Sequence, residues 1–124
     1  MFISQLTNRF ALGFCVFAAT ACSHRPADTI QAFADAVNDA DAAKASSMYT
    51  SVVAKEYGAL LPMVLIEEAS KIKARGGYKN VVILKEEVAG DTAHVVATLA
   101  MGNGSVDTMR TALVRAHGQW KFNR

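Results

Sequence analysis

Cysteine is scarce in this chain of 124 residues: Cys15 and Cys22 are the only two. Nothing after position 22 carries a thiol, so the rest of the chain cannot be stapled by disulfides and must hold together by packing. Charge of one sign is also scarce. Thirteen Lys and Arg stand against eleven Asp and Glu, a formal net charge of +2, and Arg9 is the only charged residue in the first 21. That balance excludes the basic footprint of a nucleic-acid-binding protein. No run of five like charges exists, which excludes a charged disordered tail. No apolar run reaches the roughly 20 residues that a membrane-spanning helix needs. There is no Gly-rich phosphate loop and no H-E-x-x-H. The three histidines, His24, His94 and His117, have no metal-ligand spacing. Nothing in the sequence asks for a metal or a cofactor.

What is present begins with the leader, MFISQLTNRFALGFCVFAATA. Arg9 precedes an uncharged apolar stretch from Phe10 to Ala21. Its length suits the roughly 7–15 residues of a secretory h-region. The stretch ends in Ala19-Thr20-Ala21-Cys22, which resembles the lipobox of bacterial lipoprotein signals. The resemblance implies cleavage before Cys22 and a diacylglycerol thioether on its sulfur, often with a further acyl chain on the new amine. Two or more chains anchor stably, whereas one is marginal. Ala19-Thr20-Ala21 also fits the A-x-A site of an ordinary cleaved signal; the cysteine directly after it favours the lipoprotein. Ser23, where a retained lipoprotein tends to have Asp, implies an outer-membrane address facing the periplasm. The expected organisation is therefore a signal over 1–21, a lipidated tether over 22–25 and one domain over 26–124. About 100 residues suffice for one modest core.

Inside the domain, Pro26 suits a first helical turn, and Ile30, Phe33, Ala34 and Val37 fall on one helical stripe. A helix is expected over 27–38. Asp41 can cap a second, short helix over 42–49. Residues 52–61 fit either a helical turn or a loop. Val64, Leu65, Ala69 and Ile72 repeat at helical spacing, and Lys71, Lys73 and Arg75 suit the end of a dipole before Gly76-Gly77. That predicts a helix over 62–75. After Gly77 the period changes from 3.6 to 2. Strands are expected over 78–88, 92–101, 106–116 and 119–122, joined by Gly90-Asp91, Gly102-Asn103-Gly104-Ser105 and His117-Gly118. Connections this short make neighbouring strands antiparallel. The expected fold class is α+β, with N-terminal helices packed on a curved four-stranded antiparallel sheet.

Asp28-Thr29-Ile30-Gln31-Ala32-Phe33, Asp39-Ala40-Asp41, Ala45-Ser46-Ser47-Met48-Tyr49, Gly90-Asp91-Thr92-Ala93-His94-Val95 and Gly118-Gln119-Trp120-Lys121-Phe122 occur in that order. Together they resemble the nuclear transport factor 2-like superfamily, and within it the small bacterial lipoproteins of unassigned function. The resemblance covers about residues 26–124. It implies a cone-like sheet, of the cystatin or nuclear transport factor 2-like kind, often dimeric through the sheet. It does not imply one function, because the fold hosts isomerases, hydratases and binding modules.

The candidate pocket residues are Tyr49, Tyr57, His94, Arg110 and Trp120, with Asp107 as a further acid. The plainer reading sets His94 and Arg110 in water on the outer sheet face and Trp120 in the core. Glu67-Glu68 and Glu86-Glu87 are adjacent carboxylates that point apart on a helix or a strand, so solvated faces account for them. The leading expectation is a lipid-anchored, periplasm-facing binding or protein-interaction module without catalysis. Its partners would be the membrane through Cys22 and an envelope protein or a small apolar ligand. The alternative is a small-molecule enzyme of the cone-shaped isomerase or hydratase type, working through a pocket His or Asp.

Overall fold

A computed structural model describes residues 24–123. The expected signal over 1–21 and the expected lipid-attachment residue Cys22 lie outside the described residues. Among the described residues four helices come first: α1 (Pro26–Asn38), α2 (Ala42–Ser46), α3 (Ser51–Tyr57) and α4 (Leu60–Ala74). Four strands follow: β1 (Tyr78–Ala89), β2 (Thr92–Met101), β3 (Val106–Ala116) and β4 (Gln119–Phe122). They form one antiparallel meander in the order β1-β2-β3-β4. His117 (φ 54) and Gly118 (φ 76) make a two-residue turn with both central residues left-handed. That turn type matches the twist of the strands it joins.

The helices cover one face of the sheet. Ala93, Val95, Ala97, Leu99 and Met101 alternate along β2 and are all buried. From above they meet Ile30, Phe33 and Val37 of α1 and Leu61, Leu65 and Ile72 of α4. Leu113, Trp120 and Phe122 complete the core from β3 and β4. The Phe33 ring meets Phe122 edge-on at 5.1 Å. Thr29, buried on α1, donates its hydroxyl to the Trp120 carbonyl at 2.8 Å. That satisfies both polar groups inside the core.

Several elements depart from the sequence expectation for local reasons. The second helix ends at Ser46 rather than 49, because Met48 and Tyr49 leave it to pair with β4. Phe122 N donates to Met48 O, and Thr50 N to Phe122 O. Residues 51–57 are helical, with the Thr50 hydroxyl accepting from Val53 N at the start. The last helix begins at Leu60, two residues early. Pro62 then sits in the first turn, where its missing N–H costs nothing. Val64, expected on the buried stripe, is 48% exposed.

Strand β1 holds a bulge between Ile83 and Lys85. Before it, Val81 and Ile83 oppose Leu99 and Ala97 and face the helices; after it, Glu86 opposes Val95 and does so too. Glu86 is therefore not the solvated carboxylate expected. It is half-buried, and its Oε2 accepts from Ala27 N at 2.8 Å. A carboxylate at the first turn of α1 satisfies an orphan donor and suits the helix dipole.

Candidate functional site

The longest helix among the described residues, α4, has two flanks. Leu61, Leu65 and Ile72 point down into the core. Ile66, Ser70 and Lys73 project to one side, toward the turn between α1 and α2. Glu68 and Arg75, seven residues apart and so on one helical face, project to the other, toward Tyr78 and β3.

On the first flank lies a half-open groove of about 720 Å³. Val37, Ala45, Leu65, Ala69 and Ile72 give it an apolar lining, and Asn38, Asp39, Asp41, Ser70 and Lys73 are its polar residues. Small side chains make the groove: alanines line both α2 and α4 where they face each other. The width is fixed by two close contacts. Asn38 grips the first residue of β1 from both sides, accepting from Tyr78 N and donating to Tyr78 O, each at 2.8 Å. Gly76 and Gly102 pack backbone to backbone, so that a methyl group on Gly102 would meet Gly76 O at 2.5 Å.

On the second flank three phenols and three charges gather. Tyr78 is pushed up to about 12 by burial, with Glu68 and Asp107 adding to the shift and Arg75 opposing it. Burial also raises Tyr49, helped by Tyr57 and Glu68. Both phenols therefore stay protonated at neutral pH and present hydroxyl donors. Asp107 is held below the usual carboxylate range by its hydrogen bonds from Arg75. Arg75 engages both oxygens of Asp107, at 2.7 and 2.9 Å, and also donates to the Ser105 hydroxyl. A carboxylate so engaged is not a free base.

The structure brings together some of the residues named from sequence. Tyr49, Tyr57 and Asp107 lie within electrostatic reach of this cluster. Sequence reasoning missed Glu68, Arg75 and Tyr78, which complete it. His94 and Arg110 do not belong to a pocket. His94 opposes Ala112 and Arg110 opposes Val96, both on the outer face of the sheet, and both are exposed. Strand alternation forces this: once Ala93, Val95 and Ala97 are buried, His94 and the partner of Val96 must face away. Trp120 is 5% exposed in the core, with the Arg115 guanidinium 4.7 Å from its ring centroid. It closes one end of the core and does not line the groove. Among the described residues no group of three potential metal ligands gathers, and no helix is long and apolar enough to cross a membrane.

No family model matches the chain, and no curated protein matches it. Among solved structures it is similar to a Campylobacter jejuni protein described provisionally as an NTF2-like transpeptidase. The TM-score is 0.67, over 80% of this chain and 97% of that one, at 18% identity. A SEC-C motif containing protein from Rhodopseudomonas palustris aligns with a TM-score of 0.49, over 73% of this chain and 68% of that one, at 14% identity. The first likeness shows the fold, which is NTF2-like: helices on one face of a four-stranded antiparallel sheet.

Proposed function

We propose that this chain is a lipid-anchored, periplasm-facing binding module that takes a small, largely apolar ligand in the groove between the α1–α2 turn and α4. The observation that carries the proposal is the groove itself. Its volume of about 720 Å³ falls within the roughly 300–1,000 Å³ of small-molecule sites. Its lining is mostly apolar, and Asn38, Asp39, Asp41, Ser70 and Lys73 supply polar groups that can orient a ligand. The neighbouring cluster favours binding over catalysis. Its two raised phenols keep their protons, and Arg75 engages its Asp107. The anchor rests on Ala19-Thr20-Ala21-Cys22 in the sequence.

An apolar fluorophore such as N-phenyl-1-naphthylamine tests the groove on the mature protein. Ala69→Phe fills it from the middle of α4 and is expected to abolish probe binding while the protein stays folded. Binding that survives this substitution removes the groove from the proposal. Turnover of a small-molecule substrate, lost in Tyr49→Phe or Tyr78→Phe, would establish the enzyme instead. The anchor has its own check. Globomycin should accumulate the uncut precursor, and the mature protein should carry acyl mass on Cys22.

A further inference from the structure

The chain is fastened to the domain almost at the anchor. His24 Nε2 accepts a hydrogen bond from Trp120 N at 2.9 Å, and Arg25 N donates to Asp28 at 2.8 Å. Cys22 and His24 are two positions apart with only Ser23 between them, a reach of about 7 Å fully extended. The fastening point lies at one end of the sheet. Trp120 pairs with Arg115 beside the two-residue β3–β4 turn. Arg115 in turn ties that end to the β1–β2 turn, donating from its backbone to Asp91 O and from its guanidinium to Gly90 O. The first turn of α1 joins the same end through Ala27 N and Glu86. The other end carries the β2–β3 turn, the last turn of α4 and the part of the groove lined by Asn38, Gly76, Gly77 and Tyr78. Strand β2 runs from one end to the other in ten residues, roughly 30 Å of rise.

Given the anchor at Cys22 proposed above, we infer that the domain stands upright on the bilayer. The end bearing the 90–91 and 117–118 turns rests on the lipid headgroups, and the groove opens at the far end. A tether of two residues leaves no slack for the far end to turn down to the membrane. Arg25, Arg115 and the His117 ring lie at the near end together with Asp28 and Asp91, so the orientation rests on the short tether and not on a charged patch. The groove then samples the aqueous space and not the bilayer edge, so its ligand arrives from solution or from another protein.

Lipidated mature protein in phosphatidylethanolamine–phosphatidylglycerol vesicles tests this. Single substitutions Gln119→Cys, Val106→Cys and Met63→Cys are labelled with a fluorophore, the Cys22 thiol being blocked by its lipid. They report the near end, the far end and the exposed side of α4, where Met63 is 62% and Leu60 59% exposed. A nitroxide on the lipid headgroup is the quencher. The expected result is loss of most emission at position 119 and unchanged emission at 106 and 63. Equal quenching at 106 overturns the upright orientation. So does quenching at 63, which would mean that the domain lies on α4. Inserting about twelve Gly/Ser residues after Ser23, an added reach of roughly 20 Å, is expected to even out the three positions. A protein that fails to float with vesicles and shows unmodified Cys22 overturns the anchor itself. Flotation with equal quenching overturns the orientation alone.

Discussion

Arg75 Nη1 lies 2.7 Å from Asp107 Oδ2, and Arg75 Nη2 lies 2.9 Å from Asp107 Oδ1, in a two-pronged pair that joins the end of α4 to the start of β3. The two residues are 32 positions apart in sequence, so the pair fixes a long-range contact. It also holds Asp107 low, which sets the sign of its pH dependence. A depressed carboxylate stabilises the fold above its ordinary value, about 3.9, and ceases to do so as pH falls through its folded value. Asp107→Asn is therefore expected to lower the melting temperature at neutral pH and to have little effect in strong acid. Because both groups are partly exposed, the difference should shrink with added salt. Equal melting temperatures for the two proteins at pH 7 and low salt would contradict this.

Gly102→Ala tests the backbone contact that closes the far end. The new methyl group would lie 2.5 Å from Gly76 O and 3.0 Å from Gly76 C. These are main-chain atoms and cannot rotate away. Overpacking of this kind costs about 1–3 kcal/mol. For a domain of this size each kcal/mol shifts the melting temperature by roughly 4–8 °C. Gly104→Ala is the useful contrast. Open space surrounds that position, but its φ of 91° strains any side chain. It should cost less, and denaturant titration of both variants gives the comparison.

The tyrosines can be followed by their ultraviolet absorbance in alkali. Tyr78, pushed up to about 12, and the raised Tyr49 should ionise later than a free phenol at about 10. A phenol whose folded value is raised stabilises the fold below its unfolded value, and that contribution is lost as pH climbs through the folded one. Stability should therefore fall between about pH 10 and 12. Tyr78→Phe removes the slowest component of the titration and flattens the fall. A single transition near pH 10 in the native protein would contradict the burial of both rings.

Core packing under α1 has a large effect and a small one in adjacent positions. Ile30 is completely buried, and truncation to Ala should cost about 2–5 kcal/mol. Thr29→Val keeps the volume but removes the hydroxyl that serves the Trp120 carbonyl. It should cost about 1–2 kcal/mol. Urea unfolding of the two variants checks the ratio.

The sheet was the most legible part of the sequence. The β2 positions from Ala93 to Met101 alternate without a break, and three of the four strands end where their turn residues say they should. Helix α1 was equally plain, because its stripe and its proline agree. The end of α2 was not. Met48 and Tyr49 have helical spacing, yet hydrogen bonds to Phe122, more than 70 residues away, draw them out. The same distance explains the site. Tyr49 and Tyr57 could be named as phenols near a pocket, but Glu68, Arg75 and Tyr78 converge with them only after α4 crosses toward β3. The plainer reading of His94, on the outer face, follows from its neighbours alone, since Ala93 and Val95 claim the core side.

The bulge at Leu84 decides which of two neighbouring glutamates serves the fold. If the same residues paired without the bulge, parity along β1 would continue unbroken and Glu86 would exchange faces with Glu87. The start of α1 would lose its acceptor at Ala27, and Lys85 would be driven against Val95 and the helices. Deleting Leu84 would thus straighten β1 yet leave Glu86 opposite Val95, because the extra residue is what lets Ile83 and Glu86, three positions apart, share the face toward the helices.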